Sequence, residues 1–158
     1  MQKTMTCLWM EDWIEEAVNF YVSLFDNSRI TEVSRYNEAT PEMAGKVLVI
    51  GFELAGTKYM ALNGGPVFKP NEAMSIFVNC KDQAEVDRLW TAIVGNGGEE
   101  SQCGWCRDRY GFSWQIVPEA MSRYITGPDK AGATRAMQAM LTMKKLDLAT
   151  LERAYAGA

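Results

Sequence analysis

The sequence predicts an α+β protein, because strand-like and helix-like segments follow one another in the same order twice. In each half of residues 1–118, a short apolar run is followed by an amphipathic helix and then by two or three strand-like segments. When Thr6 is set against Met74, the halves are offset by about 68 residues, which indicates a duplication at the level of pattern. A helix-rich segment at residues 119–158 completes the chain.

In the first half, apolar residues recur at three- and four-residue spacing within residues 13–25, which is typical of an amphipathic helix. Ala55 and Gly56 separate two runs with strong strand character, so we expect a hairpin there. The predicted strands of this half are residues 6–10, 28–36, 46–54 and 57–62.

In the second half, Asp82 is the predicted N-cap of a helix that ends near Val94. A strand at residues 74–80 precedes it, and a hairpin formed by residues 104–107 and 113–118 follows. Gly111 supplies the positive φ that the tight reversal needs. Trp105 and Trp114, one on each strand of this hairpin, are expected to form a cross-strand aromatic pair that fixes its register.

The C-terminal segment is predicted to contain a helix at residues 131–144 that starts near Pro128 and Asp129. The spacing of its apolar residues is compatible either with packing in the core or with contact to a second chain. The residues predicted to share its apolar face are Ala133, Met137, Met140 and Leu141.

Composition and charge narrow the functional classes. The 158 residues fit one domain or two small halves that share a core. Hydrophobic residues make up 47% of the chain and charged residues 23%, which is ordinary for a soluble globular protein. Sixteen basic against 20 acidic residues give a net charge of −4, so no basic surface for nucleic acid is indicated.

Apolar runs fall far short of the roughly 18 residues of a membrane span, and no signal peptide is recognisable. We expect a cytoplasmic protein.

The chain contains no histidine. The commonest general base and metal ligand is therefore missing, and mechanisms of the Ser-His-Asp, Cys-His and H-E-x-x-H types are excluded. No Asp, Glu or Cys residues cluster at metal-ligand spacing, so we predict no metal and no cofactor. The glycine pairs lack the lysine and the following helix of a phosphate-binding loop.

Four cysteines are present, and only Cys103 and Cys106 have a suggestive C-x-x-C spacing. In an extended segment, side chains three residues apart point to opposite faces, so the two sulfurs are not expected to hold one ion. Reduced structural thiols are the favoured interpretation, with zinc or redox chemistry as the alternative.

Gln115 is a polar amide among apolar neighbours on the last predicted strand. It shares a face with Ser113 and Val117, opposite Trp114 and Ile116. Such an amide is either satisfied by a backbone partner or directed into a cavity.

Several motifs, together with the order of elements, resemble a known family. They are AVNFY at residues 17–21, MALNGGP at 60–66, the segment 97–104 and DRYGFSWQ at 108–115. This pattern is similar to the PhnB-like branch of the vicinal oxygen chelate superfamily, which includes glyoxalase I, bleomycin resistance proteins and extradiol dioxygenases. Members of this branch have often been labelled 3-demethylubiquinone-9 3-methyltransferase, although no glycine-rich loop for S-adenosylmethionine is present here.

The resemblance implies two βαβββ modules, at residues 1–68 and 69–118, whose sheets curl into a concave groove, and a helical extension at residues 119–158. In metal-using relatives, His, Glu or Gln side chains on the first and last strands of each module bind the metal. These positions fall on Gln115, near Thr6, near Ala73 or Ser75, and within residues 60–63. Apart from Gln115, none of these residues is a plausible ligand, so the resemblance implies a vacant metal site.

Three functions remain open at this point. The first is a small-molecule binding protein, for which the candidate ligand-binding residues are Gln115, Ser75, Thr6, Met60, Asn63 and Trp105. The second is an enzyme of the same superfamily, of lyase, dioxygenase or methyltransferase type, with Glu53, Asp108 or Tyr110 as acid or base. The third is a structural or regulatory homodimer that packs through Met137, Met140 and Met143. The favoured prediction is a cytoplasmic homodimer that binds a small organic molecule.

Overall fold

The computed structural model describes residues 3–158, and its chain divides into two compact units. The first unit ends at Lys69, and the second is Pro70–Ala158. The three C-terminal helices therefore belong to the second compact unit.

The first unit is a four-stranded mixed sheet with one helix. Its strands lie in the order β1-β4-β3-β2, with β1 parallel to β4 and the other pairs antiparallel. Ala55 and Gly56 form the turn between β3 and β4, where the sequence predicts a hairpin. The elements are β1 (Thr6–Met10), α1 (Ile14–Leu24), β2 (Arg29–Arg35), β3 (Val47–Leu54) and β4 (Thr57–Asn63).

The second unit repeats this plan and adds three helices. Its strands lie in the order β5-β8-β7-β6, with β5 parallel to β8. The α+β prediction of two βαβββ modules with a helical C-terminal extension is thus confirmed. The elements are β5 (Ser75–Cys80), α2 (Gln83–Gly95), β6 (Glu99–Glu100), β7 (Trp105–Arg107), β8 (Ser113–Pro118), α3 (Met121–Ile125), α4 (Lys130–Met140) and α5 (Leu148–Ala156).

Each sheet buries one face under the helix of its own module. The apolar stripe of α1, which includes Val18 and Tyr21, is fully buried, as are Ile50 and Ala61 on the neighbouring strands. In the second unit, the buried stripe of α2 contains Val86, Leu89, Trp90 and Ile93. The predicted N-cap is also confirmed, because the Asp82 side chain accepts a hydrogen bond from the Glu85 amide.

The register of the β7–β8 hairpin corrects the predicted tryptophan pair. Trp105 lies opposite Gln115, and Cys106 lies opposite Trp114. Since successive side chains alternate between faces, the two tryptophans project from opposite sides of the sheet. Trp114 is fully buried on the α2 side, whereas Trp105 shares the other side with Gln115.

The predicted apolar face of the C-terminal helix is confirmed for Met140 and wrong for Met137 and Leu141. Helix α4 ends at Met140, and its buried residues are Gly132, Ala136 and Met140. Met137 is 37% exposed and Leu141 is 60% exposed. Packing against α3 and α5 selects a stripe of which the apolar spacing of the sequence indicates only Met140, because the stripe begins with a glycine.

The C-terminal helices share a small core with the second sheet. Its buried side chains are Tyr124, Ala136, Met140, Leu146 and Leu151, and partly buried Cys103 and Val117 pack against them. Met143 also packs against this core. None of the helices within residues 3–158 has the length and apolarity needed to cross a membrane.

Candidate functional site

The first sheet has one face without a helix, which we call the open face of the first sheet. Because Leu8, Ile50 and Ala61 point toward the helix side, the alternate residues on the same strands point away from it. The open face therefore carries Cys7, Trp9, Val49, Gly51, Glu53, Lys58, Met60 and Leu62.

A cavity of about 280 Å³ lies on this open face. Gly51 is central to its lining, because a residue without a side chain leaves a depression between Val49 and Glu53 on β3. A Cβ atom at position 51 would lie 3.0 Å from Thr31 Oγ1 and 3.6 Å from Glu32 Cγ. Small-molecule sites are commonly concave, apolar in the main and supplied with a few polar groups, and this lining has that character.

The cross-strand register sorts the cavity lining into two parts. Glu53 on β3 lies opposite Lys58 on β4, whereas Gly51 lies opposite Met60 and Val49 lies opposite Leu62. Glu53 and Lys58 thus form a charged end of the cavity, and apolar side chains line the centre of its floor. Thr31 and Glu32 on β2 add polar groups along the opposite side.

Glu53 is a buried carboxylate at the charged end. Its side chain is only 11% exposed, and its Oε2 atom lies 2.8 Å from Arg29 Nη2 on the neighbouring strand. Ion pairing of this kind offsets the cost of removing a carboxylate from water. Of the three groups suggested as acid or base by the sequence, Glu53 is the one that lines the cavity.

The predicted site residues of the first unit separate on the two sides of the sheet. Met60 lines the cavity. Thr6 and Asn63 occupy strand positions on the helix side, in the same alternation as Leu8 and Met10. Asn63 is 1% exposed, and its Nδ2 atom donates to Asp12 Oδ1 and to a backbone carbonyl, so it joins the end of the sheet to the start of α1.

The predicted site residues of the second unit lie together on the sheet face opposite α2. Gln115 stands between its direct neighbours Trp105 on β7 and Phe77 on β5. Its Nε2 atom donates a 2.8 Å hydrogen bond to Ser75 Oγ. The amide therefore has a side-chain partner rather than the backbone partner considered from the sequence. Phe77, which is 52% exposed, was not singled out by the sequence patterns.

Asp108 and Tyr110 lie in the turn between β7 and β8, where Asp108 stabilises the turn. Asp108 is 3% exposed, and its carboxylate accepts hydrogen bonds from the amides of Tyr110 and Phe112 and from Trp114 Nε1. These bonds hold the reversal between β7 and β8, where Gly111 has the predicted positive φ of 95°. Burial raises the pKa of the Tyr110 hydroxyl, so this group is a weak base and a weak acid near neutral pH.

The thiols of the C-x-x-C segment point into different packing regions. Cys103 contacts the C-terminal core, with its Sγ atom 3.7 Å from the Met140 carbonyl oxygen. Cys106 lies on the α2 side, where burial raises its pKa to about 12. Cys80 is similar, with a pKa raised to about 12 mainly by burial. All four cysteines are free thiols.

The donor groups at the superfamily's ligand positions do not fit a divalent cation. On the open face, β1 presents Cys7, whose pKa is raised by burial, and β4 presents Met60. In the second unit the neutral Gln115 amide and Ser75 hydroxyl are bonded to each other. Hard divalent cations favour several carboxylate or carbonyl oxygens, and zinc favours thiolate or imidazole. Across residues 3–158, no three His, Cys, Asp or Glu side chains are grouped so that they could hold a metal ion.

Solved structures share this arrangement of modules. The PhnB protein from Bacillus cereus is 36% identical, with a TM-score of 0.64, over 74% of this chain and 99% of its own. Protein PA1353 from Pseudomonas aeruginosa is 20% identical, with a TM-score of 0.61, over 75% of this chain and 98% of its own. The fosfomycin resistance protein FosX from Listeria monocytogenes, in complex with Mn(II) and sulfate, is 15% identical, with a TM-score of 0.55, over 80% of this chain and 98% of its own.

The paired βαβββ modules and these neighbours define a protein with the glyoxalase, or vicinal oxygen chelate, fold. A sequence model described as 3-demethylubiquinone-9 3-methyltransferase matches residues 2–117, and the chain belongs to this PhnB-like family. A search among curated proteins gives no significant match.

Two features of the site are absent from the predictions made from the sequence. The position of Lys58 opposite Glu53 could have been found, because a two-residue turn at Ala55 and Gly56 places residue 53 across from residue 58. Glu32 and Thr31 could not have been placed in the same way, because the register between β2 and β3 shifts between Ile30 and Glu32.

Proposed function

We propose that this protein binds a small organic molecule in the cavity on the open face of the first sheet, without a chelated metal. The observation that carries the proposal is the cavity of about 280 Å³ itself, which combines the apolar Val49 and Met60 with a buried, ion-paired carboxylate, Glu53. A concave, largely apolar lining with a few polar groups is the usual form of a small-molecule site. The cytoplasm is the proposed location, because four free thiols suit a reducing compartment.

Binding is favoured over the catalytic alternatives for reasons that lie in the side chains. Asp108 is committed to three hydrogen bonds within its hairpin, and Tyr110 has a raised pKa. Glu53 is the candidate acid or base that lies in the cavity, and its carboxylate is already engaged in an ion pair with Arg29. Methyl transfer would require a place for S-adenosylmethionine, and the chain lacks a glycine-rich nucleotide loop.

The experiment is a thermal-shift screen with a diverse set of small compounds, followed by the same measurement on variants that fill the cavity. Gly51→Leu and Val49→Phe both place new side-chain volume in it. Gly95→Leu is the matched control, because a Cβ at this exposed helix end has no neighbour within 4 Å. Circular dichroism should show that each variant is folded.

We expect ligands that raise the melting temperature of the wild type and of Gly95→Leu, and lose this effect with both cavity-filling variants. Linkage makes the shift grow with ligand concentration above Kd. The proposal fails if no compound gives a reproducible shift, or if the shift is undiminished in folded Gly51→Leu and Val49→Phe proteins.

A further inference from the structure

The charged groups around the cavity are separated across the first sheet. Glu32 on β2 lies opposite Gly51, and Lys58 on β4 lies opposite Glu53, so these two charges flank β3 from opposite sides. They are also offset by two residues along the strand direction. With strands about 4.8 Å apart and residues about 3.4 Å apart, the two backbone positions lie about 12 Å from each other.

The side chains of Glu32 and Lys58 are exposed and available to a ligand. Within residues 3–158, neither side chain forms an ion pair or a side-chain hydrogen bond. Glu53, in contrast, has its charge offset by Arg29 at 2.8 Å. The cavity therefore has a carboxylate on one side and an ammonium on the other, each exposed and able to accept a partner from a ligand.

The cavity surface between Glu32 and Lys58 is apolar. Gly51 and Met60 lie opposite each other at the centre, and Val49 and Met5 also contribute to the lining. An aliphatic chain that crosses this surface would replace water over apolar atoms, which is favourable at roughly 25 cal/mol per Å².

We propose that the cavity takes a zwitterionic ligand, an aliphatic molecule with an anionic group at one end and a cationic group at the other. The anion pairs with Lys58, the cation with Glu32, and the chain between them covers Gly51 and Met60. A ligand with only an anionic group leaves Glu32 unpaired and faces Glu53 as well, and a ligand with only a cationic group faces Lys58. This inference rests on the proposed function, since it specifies the ligand of the same cavity.

Three probes of the same length test the inference: 6-aminohexanoate, hexanoate and hexylamine. They share a six-carbon aliphatic chain. 6-Aminohexanoate carries both charges, hexanoate only the negative charge, and hexylamine only the positive charge. Calorimetric titration at low salt should show 6-aminohexanoate binding at least tenfold more tightly than either of the others, because surface charge pairs are screened by salt. Lys58→Gln should remove its advantage over hexylamine, and Glu32→Gln should remove its advantage over hexanoate.

The controls are Lys81→Gln and Glu42→Gln, two exposed charges outside the cavity lining. They should leave all three affinities unchanged. The inference is overturned if 6-aminohexanoate does not bind the wild type, if a singly charged probe binds as tightly, or if Lys58→Gln and Glu32→Gln leave its affinity intact. Any of these results leaves the broader proposal to be decided by the compound screen, because ligands of other charge can still lose binding in Gly51→Leu and Val49→Phe proteins.

Discussion

Asp108 holds the turn between β7 and β8 through both oxygens of its carboxylate. Oδ1 accepts the amides of Tyr110 and Phe112 at 2.9 and 3.0 Å, and Oδ2 accepts Trp114 Nε1 at 2.8 Å. Hydrogen bonds to a buried charged group are among the stronger ones, because their loss leaves donors without a partner in a low-dielectric interior. This one side chain therefore joins the reversal of the hairpin to the core beneath it.

Asp108→Asn should destabilise the protein by about 2 to 3 kcal/mol, because the amide carries no charge and its NH2 group must face either Trp114 Nε1 or the two backbone amides, all of which are donors. Urea unfolding followed by tryptophan fluorescence measures the change. Asp26→Asn, at an exposed position, is the control. It should shift the free energy of unfolding by no more than about 0.5 kcal/mol, as surface substitutions usually do. A variant at Asp108 as stable as the wild type would contradict this account of the turn.

The free thiols should differ in their reactivity. Cys80 and Cys106 are buried with pKa values of about 12, so almost no thiolate is present at pH 8. Cys7 is exposed on β1, although its pKa is also raised by partial burial. Titration of native protein with a disulfide reagent should label Cys7 first, and mass spectrometry of the digest should find Cys80 and Cys106 unlabelled until denaturant is added. Rapid labelling of Cys106 in native protein would contradict the buried position described for its thiol.

Residue-scale chemistry is the least predictable from sequence. The DRYG segment predicts a turn from Gly111, but the role of Asp108 depends on Trp114 reaching back beneath the turn. Asn63 illustrates the same limit. Its type suggests a polar ligand contact, yet strand parity places it on the helix side, where it binds Asp12.

At the scale of elements, the C-terminal segment forms backbone hydrogen bonds to the residues just before β7. The amides of Cys103 and Gly104 donate to the carbonyls of Met143 and Lys144 at 2.8 and 2.7 Å. Gly104 has a φ of +84°, and a Cβ there would lie 2.9 Å from Leu146 Cδ1. The close approach of the tail to the β7 hairpin thus depends on a glycine at this position.

Leu146→Ala should destabilise the protein by about 2 to 5 kcal/mol, since removal of a fully buried leucine leaves a cavity. This side chain lies in the C-terminal core and is fully buried there. Leu141→Ala is the matched control, because that leucine is 60% exposed and its loss should cost little. Chemical denaturation gives both values. Equal effects of the two changes would contradict the packing described for the tail.

Elements were predicted well where local signals were strong. Asp82 marks the start of α2, and Ala55-Gly56 marks the β3–β4 turn, because capping and turn geometry depend on neighbouring residues alone. Of the buried face of α4 only Met140 was predicted, because Gly132 gives no hydrophobic signal and the exposed Leu141 gives a false one.

At the scale of the whole molecule, the homodimer predicted from the sequence needs an interface other than the methionines of the tail. Met140 is buried within its own unit and Met143 packs on the same core. Met137 and Leu141 remain exposed. Two side chains cover far less than the roughly 800 Å² per partner that a specific interface buries.

We expect light scattering to give twice the mass of one chain, and the same mass for the double variant Met137→Gln, Leu141→Gln. A monomeric double variant would restore the tail as the interface. A monomeric wild type would contradict the predicted homodimer.

The stability of the molecule should fall in acid. Hydrogen bonds from Lys46 to Asp12 and from Lys145 to Asp87 hold the pKa values of these carboxyls below the usual 3.8. Trp90 and then Lys144 do the same for Glu100, whose usual value is 4.5. Because these pKa values are lower in the folded state, their contribution is complete above the unfolded values and is lost as the pH falls below about 4.

The melting temperature should therefore decrease between pH 5 and pH 3, and decrease less at 1 M salt, since these groups are largely exposed and screened. Asp87→Asn should reduce this decrease, whereas Asp26→Asn should not. A melting temperature that rises on acidification would contradict the sign of this linkage.

The hydrogen bonds from Cys103 and Gly104 to the tail also have a consequence for synthesis of the chain. All strands and the helix of the first sheet precede Lys69, so they can assemble while the remainder is still being translated. The β7–β8 hairpin, in contrast, lacks these contacts until Met143 and Lys144 have left the ribosome, because their carbonyls are the acceptors for the amides of Cys103 and Gly104. A nascent chain stalled before residue 143 should show protease resistance in the first unit and cleavage in the second.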